Sequence, residues 1–478
     1  MCHNYMNKIQ VIQGGMGVAV SDWKLARAVS KEGQLGVISG TGIHLIMIAR
    51  LMEGDVGGHV RHALQHFPFQ DPVEWVMKQY YRENPEKDAT YKRPPMWTFN
   101  PAQRLTELTI IANFVETFLA KEGHNNPVGI NLLEKVQMPT MASLYGAMLA
   151  GIDYVIMGAG IPTQIPGILD KLAKHEKVNY RMEVKGATSE DTFLMDFDPK
   201  EVFSNAVSKV QNLLRPNFLP IISSVVLAKT LIKRSSGKVN GFVVEGHSAG
   251  GHNAPPRGKM ELNEDGEPIF GEKDTPVLSK IKELGLPFWL AGGYDTPEMI
   301  KEAQEAGAEG VQIGTAFAFC DESGMKATEK QRVIEKVFTE EAVVFTDPRV
   351  SPTGYPFKVV QLDGTMSDPE VYDARPRLCD IGLLREAYKK EDGSLGYRCA
   401  AEPVDQYLKK DGKLEDTEER GCLCNNLCAS AGYAQHRKDG YVEQPLVSSG
   451  KTLPSILKYF KAGQRTYSAK DVLDYLLN

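Results

Sequence analysis

The 478-residue sequence lacks two features that would assign it to a specialised class of protein. It contains no run of about 18 apolar residues, so no membrane-spanning helix is expected. It also lacks a basic excess, because 55 Lys and Arg residues stand against 61 Asp and Glu residues, a formal net charge of −6. Nucleic acids and anionic membranes attract basic surfaces, and neither is therefore an expected partner.

Cysteine is scarce and irregularly placed. The seven cysteines are odd in number and scattered, which is not the pattern of a disulfide framework. Residues 1–10 carry no apolar signal core. Both observations favour a cytoplasmic protein with reduced thiols. The cysteines are Cys2, Cys320, Cys379, Cys399, Cys422, Cys424 and Cys428.

Glycine, in contrast, is abundant. The chain has 44 glycines among 478 residues, against a usual share of about 7%. The AVILMFWYC residues make up 42%, which is ordinary for a globular protein and argues against disorder. The extra glycine therefore predicts tight turns and close approach of the backbone to a ligand.

Eight short apolar runs, bounded by Gly, Pro or polar residues, are typical of strands covered on both faces. They occupy residues 10–16, 35–40, 128–133, 154–160, 219–225, 241–246, 287–293 and 310–317. Helical patterns lie at 23–32, 139–150, 167–174, 228–233, 276–284, 297–306 and 330–339. This alternation predicts an α/β fold, a (β/α)8 TIM barrel, with an open doubly wound sheet as the alternative.

The barrel is expected to occupy residues 1–340, with insertions at about 57–101, 178–200 and 255–274. The third insertion contains Asn263-Glu264-Asp265-Gly266, a hairpin-turn signal. Residues 341–478 lose the strand–helix alternation and carry five of the seven cysteines. They predict a C-terminal cap or small subdomain.

Glycine-rich segments end the last two predicted strands. Ala291-Gly292-Gly293 ends the seventh, and Gln312-Ile313-Gly314-Thr315 ends the eighth. Loops at these positions of a (β/α)8 barrel often present backbone N–H groups to phosphate. The segments therefore predict a phosphate site, with simple turns as the alternative.

Two histidines follow the sixth predicted strand, in the segment EGHSAGGH at residues 245–252. Imidazole titrates near neutrality, so His252 is a candidate for proton transfer, while His247 fits a structural role equally well. A metal site would need a third ligand, and neither HxH nor HExxH spacing is present. No metal site is predicted.

Five motifs occur in an order that resembles the nitronate monooxygenase (2-nitropropane dioxygenase) family. They are IQGGMG at 12–17, VGIN at 128–131, EGHSAGGH at 245–252, LAGGY at 290–294 and QIGTAFAF at 312–319. The resemblance covers about residues 10–320 and extends to the related flavin-dependent enoyl-acyl-carrier-protein reductases. It implies non-covalent FMN and the oxidation of alkyl nitronates with O2 to a carbonyl compound and nitrite.

The resemblance also implies roles for individual residues. His252 matches the family's catalytic or substrate-orienting histidine. Ile221 or Ile222 stands where some relatives carry a basic residue for the flavin phosphate, which leaves the phosphate dependent on backbone amides. The residues expected to contact FMN are Gly14, Gly15, Met16, Asn131, Glu245, Gly292, Gly293, Gln312, Gly314 and Thr315.

Other functions would use the same residues. One is an NAD(P)H-dependent FMN reductase acting on an enoyl thioester or a quinone; another is a non-catalytic barrel subunit of a synthase. A homodimer is compatible with the sequence. Cys422, Cys424 and Cys428 do not have the paired CxxC spacing that is usual for zinc or iron–sulfur ligands. This favours buried thiols beside the flavin cavity over a metal or iron–sulfur site.

Overall fold

Eight parallel strands form the central sheet of the protein in a computed structural model. The structure describes residues 9–478, and Cys2 lies outside the described residues. Strands β2, β3, β4, β8, β9, β10 and β11 pair in that order, and β11 pairs with β1. The strands are β1 (Val11–Gln13), β2 (Gly36–Ser39), β3 (Val128–Leu133), β4 (Tyr154–Gly158), β5 (Val178–Arg181), β6 (Val184–Lys185), β7 (Leu194–Phe197), β8 (Asn217–Ile222), β9 (Phe242–Glu245), β10 (Phe288–Ala291), β11 (Gly310–Ile313), β12 (Val344–Asp347), β13 (Phe357–Val360), β14 (Glu386–Lys389) and β15 (Leu395–Arg398).

The remaining seam of the barrel, between β1 and β2, closes through a few specific bonds. The Gln13 N–H donates to the Leu35 carbonyl at 2.9 Å, and the Leu35 N–H donates to the Val11 carbonyl at 3.1 Å. The buried Gln13 side chain then accepts a hydrogen bond from the Val37 N–H at 3.0 Å. The predicted (β/α)8 barrel is confirmed, and the open sheet is excluded.

Helices cover the outside of the sheet, and every helix predicted from the sequence is present within a few residues of its expected bounds. Thr296 caps α11 as its sequence predicts, because its hydroxyl accepts from the Met299 N–H. The helices are α1 (Trp23–Lys31), α2 (Ile43–Met52), α3 (His59–Gln65), α4 (Gln70–Tyr80), α5 (Gln103–Lys121), α6 (Thr140–Leu149), α7 (Ile165–Leu172), α8 (Pro199–Val202), α9 (Val225–Arg234), α10 (Leu278–Lys282), α11 (Pro297–Glu305), α12 (Thr315–Ala318), α13 (Ala327–Phe338), α14 (Pro369–Ala374), α15 (Val404–Leu408), α16 (Leu423–Ser430) and α17 (Ala469–Leu477).

Helices α2 and α5 were not predicted from the sequence. Both are buried on nearly all sides, so their apolar residues do not repeat with the one-sided period that marks a surface helix. Helix α5 even buries Glu116, whose carboxylate accepts from Arg50 at 2.8 Å and from the Trp23 N–H at 2.7 Å. These partners let a charged residue lie inside the protein.

The apolar core has two main parts. Inside the barrel, Trp289 packs with Ile12 and Leu219 and donates its indole N–H to the Ile9 carbonyl at 2.9 Å. Outside, a larger cluster joins the sheet to its helices and continues into Leu453 and Leu473 of the C-terminal segment. Residues 341–478 therefore share their core with the barrel.

Main-chain pairing also attaches the C-terminal segment. Strand β14 pairs in parallel with β6, which belongs to the predicted insertion at 178–200. Near the barrel mouth, His252 forms an antiparallel bridge with Phe357 at the start of β13. The predicted turn at Asn263 is present, and the Gly266 N–H donates to the Asn263 carbonyl at 3.0 Å. Within residues 9–478, no helix has both the length and the apolar character needed to cross a bilayer.

Replacing Gly146 tests the packing of α6 against α5. A Cβ at Gly146 in α6 would lie 2.1 Å from the Ile110 carbonyl oxygen in α5, a backbone atom that cannot move alone. We expect Gly146→Ala to lower the free energy of unfolding by about 2 kcal/mol, although alanine is the better helix former. Urea unfolding would measure the loss. Gly271→Ala, where no atom lies within 4 Å, is the control; equal stability of both variants would contradict the packing.

Candidate functional site

A cavity of about 270 Å³ lies at the C-terminal ends of the barrel strands. Loops after these strands form one wall, and residues of the C-terminal segment, including Leu383 and Leu427, form another. The structure brings all of the sequence-predicted site residues to this one cavity. They are Gly14, Gly15, Met16, Asn131, Glu245, His252, Gly292, Gly293, Gln312, Gly314 and Thr315.

The loop after β1 is held against the loop after β3. The Asn131 side-chain N–H donates to the Gly15 carbonyl at 3.1 Å. A Cβ at Gly15 would lie 2.3 Å from the Asn131 Cβ, so only glycine fits at this position. Asn131 therefore fixes the backbone of the first loop along the cavity wall.

Two amide oxygens in the cavity wall have no hydrogen-bond partner among the described residues. They are Oδ1 of Asn131 and Oε1 of Gln312, both buried. Asn131 of β3 pairs with Ile156 of β4, and Gln312 of β11 pairs with Ile12 of β1, so the two amides come from separate strands of the barrel. Buried acceptors without partners are rare, and here they are available to donors on a ligand.

Glycines allow the backbone to approach a ligand in the loops after β10 and β11. Gly292 and Gly293 have φ values of 95° and 90°, in the region that favours glycine. A Cβ at Gly292 would lie 2.9 Å from the Ser248 Oγ and 3.1 Å from the Ala249 backbone nitrogen. Gly314 follows β11, and Thr315 begins the short helix α12.

The C-terminal segment also lines the cavity, a contribution that was not predicted from the sequence. Ser448, Ser449, Gly450 and Thr452 line it, and the Gly450 N–H donates to the Thr315 Oγ1 at 2.9 Å. A Cβ at Gly450 would lie 2.8 Å from the same oxygen. The Ser-Ser-Gly sequence is a local pattern that is compatible with a binding loop. Only the long-range contact with Thr315 shows that this loop belongs to the cavity.

A half-buried acid at the end of β9 and a buried lysine lie beside the loop that follows this strand. Burial raises the pKa of Glu245 to about 7, although the Lys358 charge lowers it. Lys358 was not predicted from the sequence; it is 1% exposed, and its Nζ donates to the His247 carbonyl at 2.6 Å. Burial lowers the pKa of Lys358 to about 8. Both groups therefore titrate near physiological pH: at pH 7 Glu245 is about half ionised, while Lys358 is still mostly charged.

His252 lies in the cavity wall with one ring nitrogen already bonded. Its Nε2 is 2.7 Å from the Ser351 Oγ, and its ring packs edge-on against Phe357 at 4.8 Å between centroids. Burial, and to a smaller extent the Lys135 charge, hold the pKa of His252 well below its usual range. The imidazole is therefore neutral at pH 7, and Nδ1 is the nitrogen left for a ligand.

His247 differs from His252 although both belong to the same loop. Its side chain is exposed and packs against Phe270 with the rings tilted by 38° and 4.6 Å between their centroids. It does not line the cavity. Its contribution to the site is the backbone carbonyl that binds Lys358.

The cysteines of the C-terminal segment cluster behind one wall of the cavity. Cys424 lines the cavity, and Cys379 and Cys399 are in hydrogen-bond contact with each other. Burial raises the pKa of Cys424 well above its usual range, which keeps it a thiol. Within residues 9–478, no group of three or more His, Cys, Asp or Glu side chains is arranged to hold a metal ion.

Comparison with known proteins finds similarity to nitronate monooxygenases. The family model for nitronate monooxygenase matches residues 175–354. A nitronate monooxygenase of Pseudomonas aeruginosa is 31% identical over 153 residues, which are 30% of this chain and 41% of that protein. A probable nitronate monooxygenase of Bacillus subtilis is 35% identical over 97 residues, 20% of this chain and 25% of that protein. The chain spans between a quarter and about half of the length of the curated relatives it matches.

Solved structures are also similar. A nitroalkane oxidase from Streptomyces ansochromogenes is 14% identical with a TM-score of 0.47, covering 100% of this chain and 96% of that one. FabK from Thermotoga maritima is 15% identical with a TM-score of 0.46, and the match covers 98% of this chain and 92% of that one. The resemblance to nitronate monooxygenases predicted from the motifs is confirmed by the family model and the curated relatives.

The buried carboxyl of Glu245 predicts a dependence of stability on pH. An ordinary glutamate titrates near pH 4.5, and Glu245 titrates near 7. The fold therefore favours the protonated form, and this stabilisation is present below pH 4.5 and lost as the pH rises through 7. We expect Glu245→Gln to avoid this loss. The free energy of unfolding of the variant, relative to that of wild type, should therefore increase between pH 5 and 8, by about 3 kcal/mol at most.

Urea unfolding of ligand-free protein at several pH values would measure this difference. Glu264→Gln, in the exposed turn of the third insertion, is the matched control and should show no such trend. If the difference in stability between Glu245→Gln and wild type were the same at pH 5 and at pH 8, the raised pKa of Glu245 would be disproved.

Proposed function

We propose that this relative of the nitronate monooxygenases is an FMN-dependent oxidoreductase that oxidises alkyl nitronates with O2 to a carbonyl compound and nitrite. The observation that carries the proposal is the single cavity that joins all of the family motifs to His252. In this proposal residues 1–340 form the flavin-binding barrel, residues 341–478 form its cap, and the enzyme works in the cytoplasm.

The residues of the cavity fit a flavin. Flavin rings carry an N–H donor and several acceptors, and the Asn131 and Gln312 amides offer both kinds of group, including two acceptor oxygens with no partner among the described residues. The glycine loops at Gly292 and Gly314 fit the phosphate, because a bare backbone can bring N–H groups close to its oxygens. When bound, FMN would supply the electron transfer between substrate and O2.

The phosphate would be bound mainly by backbone N–H groups, since no Lys or Arg among residues 9–478 lines the cavity. Some relatives carry a basic residue at the position of Ile221 or Ile222, and of these two Ile221 lines the cavity. The C-terminal loop at 448–452 lines the cavity beside Thr315 and adds two serine hydroxyls. Glu245, with its pKa near 7, contributes less negative charge than an ordinary carboxylate, which favours an anionic cofactor and an anionic substrate.

His252 would orient the substrate. As a neutral imidazole it can donate one hydrogen bond to a nitro oxygen, or accept a proton from the carbon next to a nitro group. Leu383, Leu423 and Leu427 cover this region from the C-terminal segment and limit access of water. The exclusion of water strengthens polar interactions within the cavity.

Cofactor and substrate can be tested separately. We expect the purified protein to be yellow, or to take up FMN when it is added. Under anaerobic conditions, ethylnitronate should bleach the flavin absorbance. Bleaching by NADH and not by ethylnitronate would replace the monooxygenase with a reductase, and a protein that FMN does not reconstitute would overturn the proposal as a whole.

Replacing His252 separates chemistry from cofactor binding. We expect His252→Ala to bind FMN within about 2-fold of wild type but to lose between about 10²- and 10⁴-fold in kcat/KM for ethylnitronate, the usual contribution of a positioned proton-transfer group. Flavin titration and steady-state kinetics measure the two effects. His247→Ala, an exposed histidine of the same loop, is the control; an unchanged kcat/KM in His252→Ala would refute the role.

A further inference from the structure

A line of hydrogen-bonded side chains leads from His252 away from the cavity. The Nε2 of His252 is 2.7 Å from the Ser351 Oγ, which is 2.8 Å from the Thr353 Oγ1. Thr353 Oγ1 is in turn 3.2 Å from the Nζ of Lys135. The line therefore joins a neutral imidazole to an amine through two hydroxyl groups, each of which can donate and accept a proton.

Lys135 lies in the loop directly after β3, outside the wall of the cavity. Its Nζ is 3.8 Å from the centroid of the Tyr355 ring. Burial lowers the pKa of Lys135 to about 7, so at physiological pH the amine exists in both charged and neutral forms. Such a lysine can accept or release a proton at the pH where an enzyme works.

Other titratable and charged groups face this line. Burial raises the pKa of the neighbouring Glu134 to about 7, and its carboxyl group accepts hydrogen bonds from Tyr180 at 2.8 Å and from Gln137 at 3.0 Å. The Arg420 guanidinium donates to the Ser351 carbonyl at 2.8 Å. Glu183 influences Tyr355 and Glu134 electrostatically. Around His252 itself, the charge that lowers its pKa is that of Lys135. The amine is therefore the basic group coupled to the imidazole.

We propose that Lys135 exchanges protons with His252 through Thr353 and Ser351, and that this relay allows the enzyme to use neutral nitroalkanes as well as nitronates. The inference rests on the proposed function for its substrate but not for the relay. A nitronate has already lost its α-proton, whereas a nitroalkane must lose it in the cavity. His252 holds a proton poorly, so the proton has to move on.

The proton transfers balance. The C–H bond of the nitroalkane breaks as Nδ1 of His252 takes the proton, and the electron pair stays on the substrate as the nitronate. Nε2 gives its proton to Ser351, Ser351 gives its own to Thr353, and Thr353 gives its own to neutral Lys135. Each hydroxyl gains one proton and loses one, and the products are the nitronate anion and the Lys135 ammonium.

The same line predicts which nitrogen of His252 carries the proton. Charged Lys135 donates to Thr353, so the hydroxyls point toward His252 and Nε2 accepts. Neutral Lys135 accepts from Thr353, so the hydroxyls point the other way and Nε2 donates. Protonation of Lys135 therefore sets the tautomer of His252, with or without a flavin in the cavity.

Nitrogen-15 NMR of histidine-labelled, flavin-free protein tests the relay directly. His252→Ala assigns the signals among the ten histidines. In wild type we expect the proton to move from Nδ1 to Nε2 as the pH rises, with a midpoint near 7. Lys135→Met and Thr353→Val should abolish this change, and Thr353→Ser should restore it. A pH-dependent tautomer that persists in Lys135→Met would overturn the relay.

Kinetics with two substrates then test whether the relay supports the use of nitroalkanes. We expect the ratio of kcat/KM for nitroethane to that for ethylnitronate to fall at least about 10-fold in Lys135→Met and Thr353→Val. Lys171→Met, on an exposed face of α7, is the control for loss of a lysine. An unchanged ratio would refute the role in nitroalkane use. If neither substrate reacts with wild type, the proposed function fails, while the NMR result still decides the relay.

Discussion

The pairing of β13 with the loop after β9 is the constraint on which the site depends. The Lys358 N–H donates to the Gly251 carbonyl at 3.0 Å, and the Asn253 N–H donates to the Pro356 carbonyl at 2.9 Å. These two bonds fix the backbone on both sides of His252. They also bring Ser351 and Lys358 to the site, so the C-terminal segment supplies part of its chemistry as well as its cover.

Burial by the C-terminal segment sets the charges of the site. Glu245 and His252 in the cavity wall, and Lys358 beside them, all have a pKa displaced toward the neutral form, because ionisation is disfavoured away from water. This displacement reduces the charge that the three groups carry. It also leaves protons movable near pH 7, where ordinary acids and lysines would be fixed in one state.

The sequence was informative wherever a local pattern decides the structure. Strands such as β3 could be predicted to the residue, because short apolar runs between turn residues have few alternatives. Predicted strands ran too long where glycines follow them, as at Gly14 and Gly314, because those glycines belong to the cavity loops. The predicted site residues met in one cavity because the ends of parallel strands meet at one edge.

The most buried helices and the long-range contacts of the site could not be predicted from the sequence, for two physical reasons. Helix α5 is buried on almost every side and so lacks the periodicity of a surface helix. Ser351, Lys358 and Gly450 act through contacts with residues about 100 or more positions away, and no local pattern records such contacts. Lys135 was overlooked because a single lysine after a strand is ordinary until its surroundings are known.

The contact between Thr315 and Gly450 has a consequence for how the protein matures. All eight barrel strands are complete by Ile313, yet the cavity needs a loop more than 130 residues further along. A chain that grows from its N-terminus can therefore form its barrel well before it can form its binding site. Capture of a small molecule in this cavity would report that folding has reached the last part of the chain.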